Sequence, residues 1–143
     1  MSTIRVKIIS AEKNLYEGES TLVVVTAALG ELGILPNHAP MLAELKPGQV
    51  RVHLEEKGQE KTEMVFYVSG GIVEVQPELI IILADSAARA ENVDEASALA
   101  AKDRAERLLA TQTSDIDYAV VRAELAQALA QIAALERARR LVE

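Results

Sequence analysis

Hydrophobic and polar positions follow a strand-like pattern from the start of the chain to about residue 84. Apolar residues alternate with polar ones or form short β-branched runs, as they do in strands of a half-buried sheet. The predicted strands lie within residues 4–8, 21–26, 50–54, 64–68, 72–75 and 79–83. Turn signals separate them at residues 16–18, 46–48, 56–58 and 76–78. Short strands with regular turns predict a flattened β-sandwich or barrel over residues 1–85.

The pattern becomes helical after about residue 85. No glycine follows Gly71, no proline follows Pro77, and alanine becomes the dominant residue. Asn92 is a favourable helix N-cap with Glu95 three residues later, which predicts a first helix to about residue 110. The predicted fold is therefore mainly β plus α, with the β part first.

A second helix is predicted after a polar interruption at residues 111–115. Ser114 or Asp115 can cap this helix, which continues to about residue 142. Each helix has one face with spacings of three and four: Ala101, Ala105, Leu108 and Gln112 on the first, and Val121, Leu125, Leu129, Ile132 and Leu135 on the second. Because the connection is short, we expect an antiparallel helical hairpin over residues 86–143.

The alanine bias leaves two interpretations of this hairpin open. Alanine is the best intrinsic helix former. It buries little area, so at about 25 cal/mol per Å² its contacts dock a helix less strongly than leucine contacts do. A hairpin whose helices persist while their docking is weak is a candidate moving element. An ordinary hairpin fixed on the sandwich fits the same pattern.

Composition and charge narrow the class of protein. The 143 residues are half hydrophobic, which argues against disorder. The net charge of −7 argues against nucleic acid and anionic lipid as partners. No apolar run reaches the roughly 18 residues of a bilayer span, and the strand pattern starts at the N-terminus, so we expect no signal or transit peptide. The absence of cysteine excludes a thiolate metal site.

The motifs that carry chemistry are missing from the pattern. The glycines in residues 30–33 lack the spacing and the following helix of a phosphate-binding loop. Residues 69–71 do not form a nucleophile elbow, because Tyr67 stands where that motif needs glycine. His38 and His53 have no metal-ligating partner at helical spacing. We therefore expect no catalytic residues, no metal and no cofactor, although a small enzyme with a β-sandwich core stays a competing interpretation.

Basic residues cluster at the end of the second predicted helix. Arg137, Arg139 and Arg140 lie there, and Glu136 precedes Arg140 by four residues, a favourable spacing on a helix. Cations near a helix C-terminus also complement its dipole. The cluster is explained equally by this local role and by docking on an acidic partner surface.

Taken together, these motifs resemble the epsilon subunits of bacterial-type rotary ATP synthases over the whole length of the chain. Each motif is weak alone, but their order and spacing agree with the sandwich-then-hairpin prediction. The motifs are residues 30–40 (GELGILPNHAP), 45–48 (LKPG), 68–75 (VSGGIVEV), 82–87 (ILADSA), 93–96 (VDEA) and 102–106 (KDRAE).

The resemblance implies a non-catalytic rotor subunit that couples proton flow to ATP synthesis. In that family the sandwich grips the gamma subunit and sits on the ring of c subunits. The family's ring-facing loop is similar to the turn that carries Glu31, Leu32, Gly33 and His38, so these residues are expected to contact the ring. The implied location is peripheral, at the cytoplasmic face of a bacterial plasma membrane, with the membrane reached only through the complex.

The resemblance also implies a regulatory role for the hairpin. In the family it either folds against the sandwich or extends along gamma into the alpha/beta catalytic head, where it inhibits ATP hydrolysis. The residues expected to contact the head are Arg122, Arg137, Arg139 and Arg140.

Some members of that family bind ATP on the folded hairpin, which makes a nucleotide-sensing regulatory module the alternative function. Asp94 and Arg104 match positions of the ATP-binding pattern. Ser97 stands where that pattern has arginine, and Leu129 and Ala133 stand at two further arginine positions. Because guanidinium groups make the strong bidentate contacts to phosphate, we expect weak or absent ATP binding.

Overall fold

The computed structural model of the chain describes residues 2–54, 62–111 and 117–142. Within these residues nine strands precede a short 3₁₀ helix at Ala90–Asn92 and two α-helices, α1 (Glu95–Ala110) and α2 (Tyr118–Val142). The strands are β1 (Ile4–Ser10), β2 (Asn14–Ser20), β3 (Leu22–Ala27), β4 (Gly30–Ile34), β5 (Met41–Leu54), β6 (Thr62–Val68), β7 (Gly71–Val75), β8 (Leu79–Ala84) and β9 (Ala87–Arg89). The predicted fold class, a β-sandwich followed by a helical hairpin, is confirmed.

Strand β5 joins the two layers of the sandwich because it changes partner halfway along its length. Its first part, Met41–Leu45, pairs with β7, and its second part, Gly48–Leu54, pairs with β6. The order β2-β1-β8-β7-β5-β3-β4 completes the sheet, with β9 on the far edge of β6. The turn predicted at residues 46–48 is wrong, since these residues lie within β5, at the point where its partner changes from β7 to β6. Pro47 fits this point because it has no backbone N–H to donate to a ladder.

The other predicted turns have different outcomes. The turn predicted at residues 16–18 is wrong, because these residues lie in β2, where Glu17 forms ion pairs with Arg5 and Lys7 of β1. The turn at residues 76–78 is confirmed by the backbone hydrogen bond that Gln76 donates to Leu79. The turn predicted at 56–58 lies outside the described residues.

The core between the two layers is aliphatic, with Phe66 as its one fully buried aromatic residue among those described. Val6, Val25 and Val50 contribute from β1, β3 and β5, and each is completely buried. The alternation of the strands places these side chains inside, as their period of two requires.

Helix α1 begins two residues later than the sequence pattern indicates, and α2 begins two or three residues later. Asp94, and not Asn92, caps α1, since its carboxylate accepts a hydrogen bond from the Ser97 N–H at 3.1 Å. At the start of α2 the carboxylate of Asp117 accepts from the Ala119 N–H at 3.1 Å. The predicted caps Ser114 and Asp115 lie outside the described residues, as does Gln112 of the predicted α1 face.

The face predicted for α2 is correct at its ends and wrong at its centre. Val121 and Leu135 are buried, but Leu129 is 45% exposed, and the small side chain of Ala128 is buried instead. The two helices pack along each other, and alanines provide much of the buried face.

Helix α2 docks on β6 and thereby covers the second face of that strand. Phe66 and Val68 point into the sandwich, whereas Val65 and Tyr67 point to the helix. Ala130 and Ala134 of α2 meet Val65 and Tyr67, so the contact is built from small side chains. The boundary predicted between residues 85 and 86 stays a prediction; strand β9, which pairs with β6, covers Ala87–Arg89.

Candidate docking surfaces

One end of the sandwich exposes an apolar groove of about 550 Å³. It lies between the β3–β4 connection and the first part of β5, and Glu31 and Leu32 are among its lining residues. Leu29, at the tip of the connection, is fully exposed, and Leu42 is 70% exposed. Isolated exposed leucines are common, but two of them on the rim of one groove form a candidate docking surface. The sequence motifs did not point to Leu29 or Leu42. What distinguishes these leucines is their exposure to solvent, which depends on the fold and not on the residue type.

The residues predicted for ring contact do not form one turn, which corrects that part of the prediction. Glu31, Leu32 and Gly33 lie in strand β4, and Leu32 is half-buried against the core. Gly33 is exposed but, like His38, does not line the groove. The Glu31 carboxylate is mostly exposed and accepts hydrogen bonds from Arg51 at 3.3 and 3.4 Å.

His38 lies in the connection between β4 and β5 and stabilises the turn locally. Its Nδ1 is 2.7 Å from the carbonyl oxygen of Ala39, and its backbone N–H donates to Leu35. The neighbouring Asn37 has a left-handed backbone with φ of 67° and donates its N–H to Pro77. This connection is therefore tied to the turn between β7 and β8.

A second apolar surface lies on the outer face of β7 and β8. Ile72 and Leu83 are directly opposite each other in the register of these strands, and both are about half exposed. A cross-strand apolar pair on an outer face is available for docking.

Where α2 crosses the sheet, a buried carboxylate clamps an arginine. Glu63, at the start of β6, is only 6% exposed, and it accepts two hydrogen bonds from Arg137, from Nε at 2.7 Å and from Nη2 at 2.9 Å. His53 of β5 also approaches, with Nε2 3.1 Å from a Glu63 oxygen. This bidentate geometry is the strongest form of arginine–carboxylate contact.

Charge around Glu63 keeps it ionised. Burial raises the pKa of its carboxyl, but the hydrogen bonds and charge of Arg137, together with the charges of His53 and Arg51, outweigh burial and hold the pKa below its usual range. The hydrogen bonds to Glu63 in turn raise the pKa of Arg137. Both partners are thus charged at neutral pH.

The four arginines predicted for head contact do not form one patch. Arg137 is bound to the sandwich, and Arg139 forms an ion pair with Glu95 at the start of α1. Arg122 and Arg140 are exposed and form no ion pair with another residue in the described part of the chain. Arg137 therefore differs from the other three arginines in its binding partner, which its position in the sequence did not indicate.

Asp94 and Arg104 lie on neighbouring grooves along the hairpin. Arg104 lines a groove of about 540 Å³ between α1 and α2, and Asp94 lines a smaller one; both grooves include Ser97 and Gln131. The Asp94 carboxylate is already engaged, because the N–H and hydroxyl of Ser97 donate to it. The Ser97 N–H is also the main cause that lowers the Asp94 pKa.

Two negative findings apply to the described ranges 2–54, 62–111 and 117–142. No group of three or more histidine, cysteine, aspartate or glutamate side chains is placed there to hold a metal ion. Neither helix in those ranges is both long and apolar enough to cross a bilayer.

Comparison with known families assigns both parts of the chain. Residues 3–90 match the family described as "ATP synthase, Delta/Epsilon chain, beta-sandwich domain". Residues 91–136 match "ATP synthase, Delta/Epsilon chain, long alpha-helix domain".

Relatives of similar length carry the same description. The chain is 52% identical over 140 residues to an ATP synthase epsilon chain of Alkalilimnicola ehrlichii, covering 98% of this chain and 97% of the relative. It is 50% identical to the epsilon chain of Halorhodospira halophila, with the same coverage, and 51% identical to that of Legionella pneumophila, covering 96% of each.

Solved structures share the fold at low identity. A chain in the Euglena gracilis mitochondrial ATP synthase (OSCP/F1/c-ring) superposes with a TM-score of 0.66 at 20% identity, covering 100% of this chain and 83% of that one. A chain of the Tetrahymena thermophila mitochondrial ATP synthase, from its central stalk and c-ring, gives 0.61 at 15% identity, covering 94% and 97%.

Proposed function

Because the chain belongs to the epsilon chain family of ATP synthase, we propose that it is a non-catalytic part of the rotor, which couples proton translocation to ATP synthesis. The sandwich docks on the gamma subunit and on the ring of c subunits, at the cytoplasmic face of a bacterial plasma membrane. The hairpin leaves the sandwich to inhibit ATP hydrolysis in the alpha/beta head.

The observation that carries the proposal is the exposed apolar end of the sandwich. Leu29 and Leu42 project beside the carboxylate of Glu31, so the groove offers apolar area and one charge to a partner. The outer pair Ile72 and Leu83 supplies a separate surface, which we assign to gamma. Two separate surfaces suit a subunit that joins a shaft to a ring.

The docking of α2 supports the proposed mobility of the hairpin. Ala130 and Ala134 offer only methyl groups to Val65 and Tyr67, so each contributes less to docking than a larger apolar side chain would. The release of α2 frees Arg137 to join Arg122, Arg139 and Arg140 in contacting the head.

Weak or absent ATP binding remains our proposal for the nucleotide-sensing alternative. Among the described residues that line the grooves of Asp94 and Arg104, Arg104 is the one arginine, and Glu124 lies in the same groove as Arg104. A single guanidinium opposed by a carboxylate is a poor site for a triphosphate.

The coupling role is tested by reconstitution. An ATP synthase depleted of its own epsilon subunit and supplied with this chain should regain ATP-driven proton pumping. Glu31→Lys should lower pumping several-fold, because it reverses the charge presented to the ring, whereas Glu12→Lys in the exposed β1–β2 connection should not.

Arg51→Gln is the matched control for Glu31→Lys. It breaks the same ion pair but leaves the Glu31 carboxylate in place. Normal pumping with Arg51→Gln assigns the effect to the carboxylate itself. Equal loss with both variants, or full pumping with Glu31→Lys, would contradict ring contact at this residue.

A further inference from the structure

The contact between α2 and the sandwich combines an apolar surface with a bidentate ion pair of Arg137 and Glu63, which we call the clamp. The apolar part consists of alanines against Val65 and Tyr67. The polar part includes a hydrogen bond between the side chains of Tyr67 and Gln131 and the bidentate pair of Arg137 and Glu63, which joins residues 74 positions apart. The α2 side of the apolar contact consists of alanines, which bury little area each, so the bidentate ion pair is a substantial part of what holds the helix on the sheet beside the burial of Tyr67.

Glu63 is placed so that losing Arg137 is costly but not prohibitive. The side chain of Glu63 is 6% exposed while α2 is docked, so leaving its charge without a cationic partner there costs much free energy. His53 lies directly opposite in the strand register, and Arg51 lies diagonally on the same face of the sheet. Both remain on the sheet when α2 leaves, so the Glu63 carboxylate keeps basic neighbours in either state.

Of the arginine cluster, Arg137 is the member that is bound to the sandwich, so it cannot contact the head while it is bound to Glu63. Its Nε and Nη2 both point to Glu63, whereas Arg139 pairs within the hairpin, with Glu95. Contact of Arg137 with any other acidic surface therefore requires that the clamp opens first.

We propose that Glu63 is the latch residue of the hairpin: it holds α2 on β6 through Arg137, and His53 and Arg51 keep the vacated carboxylate compensated after release. This rests on the proposed function in that the hairpin has to leave the sandwich. Glu63 acts on the head only through Arg137, so it is a positioning residue and not a contact residue.

A single introduced thiol measures how often the latch opens. The sequence holds no cysteine, so Ala134→Cys places the one thiol of the full-length chain under α2, where Ala134 is completely buried. Its rate of reaction with a thiol reagent reports the open fraction. Ala126→Cys, on the exposed side of α2, gives the rate for a free thiol.

In the Ala134→Cys chain, Glu63→Gln and Arg137→Gln should each raise the labelling rate about 10- to 100-fold, as expected for one partner of a buried charged pair. The double variant should be no faster than the faster single variant, because both remove one interaction. Arg139→Gln and Arg140→Gln, neighbours with the same charge, should stay within about twofold of the parent chain.

Several outcomes would overturn the latch. These are equal labelling of Ala134→Cys and Ala126→Cys, a rate unchanged by Arg137→Gln, additive effects in the double variant, or an equal effect of Arg140→Gln. Arg137→Gln alters only a helix surface, so it keeps the test valid if Glu63→Gln disturbs the sheet; circular dichroism checks that. Labelling is measured on the free chain and inhibition on the assembled ATP synthase. The latch can therefore be refuted while the hairpin still inhibits hydrolysis, and the latch can hold while the hairpin does not inhibit.

Discussion

Two glycines of the sandwich differ in what a side chain would meet. Gly71 has a left-handed φ of 136°, and a β-carbon there would overlap the carbonyl oxygen of Leu83. Gly33 sits in an extended strand, and its nearest neighbour would be Leu22 Cδ1 at 3.8 Å. Glycine is thus required by the backbone at residue 71 and not at residue 33.

We predict that Gly71→Ala lowers the free energy of unfolding by about 3 kcal/mol or more, because it combines backbone strain with a steric overlap. Gly33→Ala should change it by less than about 1 kcal/mol. Urea unfolding followed by circular dichroism measures both. If both variants lost a similar amount of unfolding free energy, the contact between residue 71 and the Leu83 carbonyl would not be the reason that glycine is required there.

Residues that act locally were easier to predict than residues that act over distance. The sequence pattern placed the cap of α1 at Asn92, two residues before the observed cap Asp94, since capping involves neighbours in sequence. The pairing of Glu63 with Arg137 does not follow from the sequence pattern, because the fold brings together residues 74 positions apart. For the same reason His53, which has no partner at helical spacing, lies beside Glu63 in the structure.

Strand β6 is the element that connects the two halves of the molecule. Its alternate residues serve the sandwich core and the α2 contact, so both faces are covered. Its apolar run and the alanine bias of α2 are visible in the sequence, but the face of α2 that meets β6 follows only from the packing.

Enlarging the alanine face of α2 should displace the helix. Ala134→Leu adds volume to a fully buried position against β6, which typically costs about 1–3 kcal/mol. We predict faster proteolytic cleavage of α2 in the native state than for the unaltered chain. Ala126→Leu, on the exposed side, is the matched control and should not change cleavage; the same acceleration in both would place the effect outside the α2–β6 contact.

The pair of Glu63 and Arg137 should cease to stabilise the docking of α2 at acidic pH. The docked state holds the Glu63 pKa below its usual value of about 4.3, so the pair stabilises docking above that pH and ceases to do so as the pH falls through the lowered pKa. The charged groups facing Glu63 are Arg51 and His53 from β5 and Arg137 from α2, and Glu31 of β4 also interacts with Arg137.

The comparison of two chains isolates this dependence. The difference in Ala134→Cys labelling between chains with arginine and with glutamine at position 137 should shrink below about pH 5, as Glu63 takes up a proton. A difference that grows on acidification would contradict an ionised Glu63 as the partner. Taking the ratio at each pH removes the pH dependence of the thiol reaction itself.

At the scale of the whole molecule, the order of sandwich and hairpin could be predicted because the hydrophobic period changes once along the chain. The strand count could not, because β2 and β4 are rich in charged residues and glycine, and β5 continues through Pro47 and Gly48. The apolar end with Leu29 and Leu42 was missed, since exposure depends on how β3, β4 and β5 meet.

In the proposed function the sandwich couples rotation to ATP synthesis and the hairpin inhibits ATP hydrolysis. The measurement is the rate of ATP hydrolysis by an ATP synthase reconstituted with the full chain or with residues 1–90, which keep β9 paired with β6. We predict faster hydrolysis with the shortened chain and proton pumping retained in both complexes. Equal hydrolysis rates in two complexes that both pump would contradict an inhibitory hairpin.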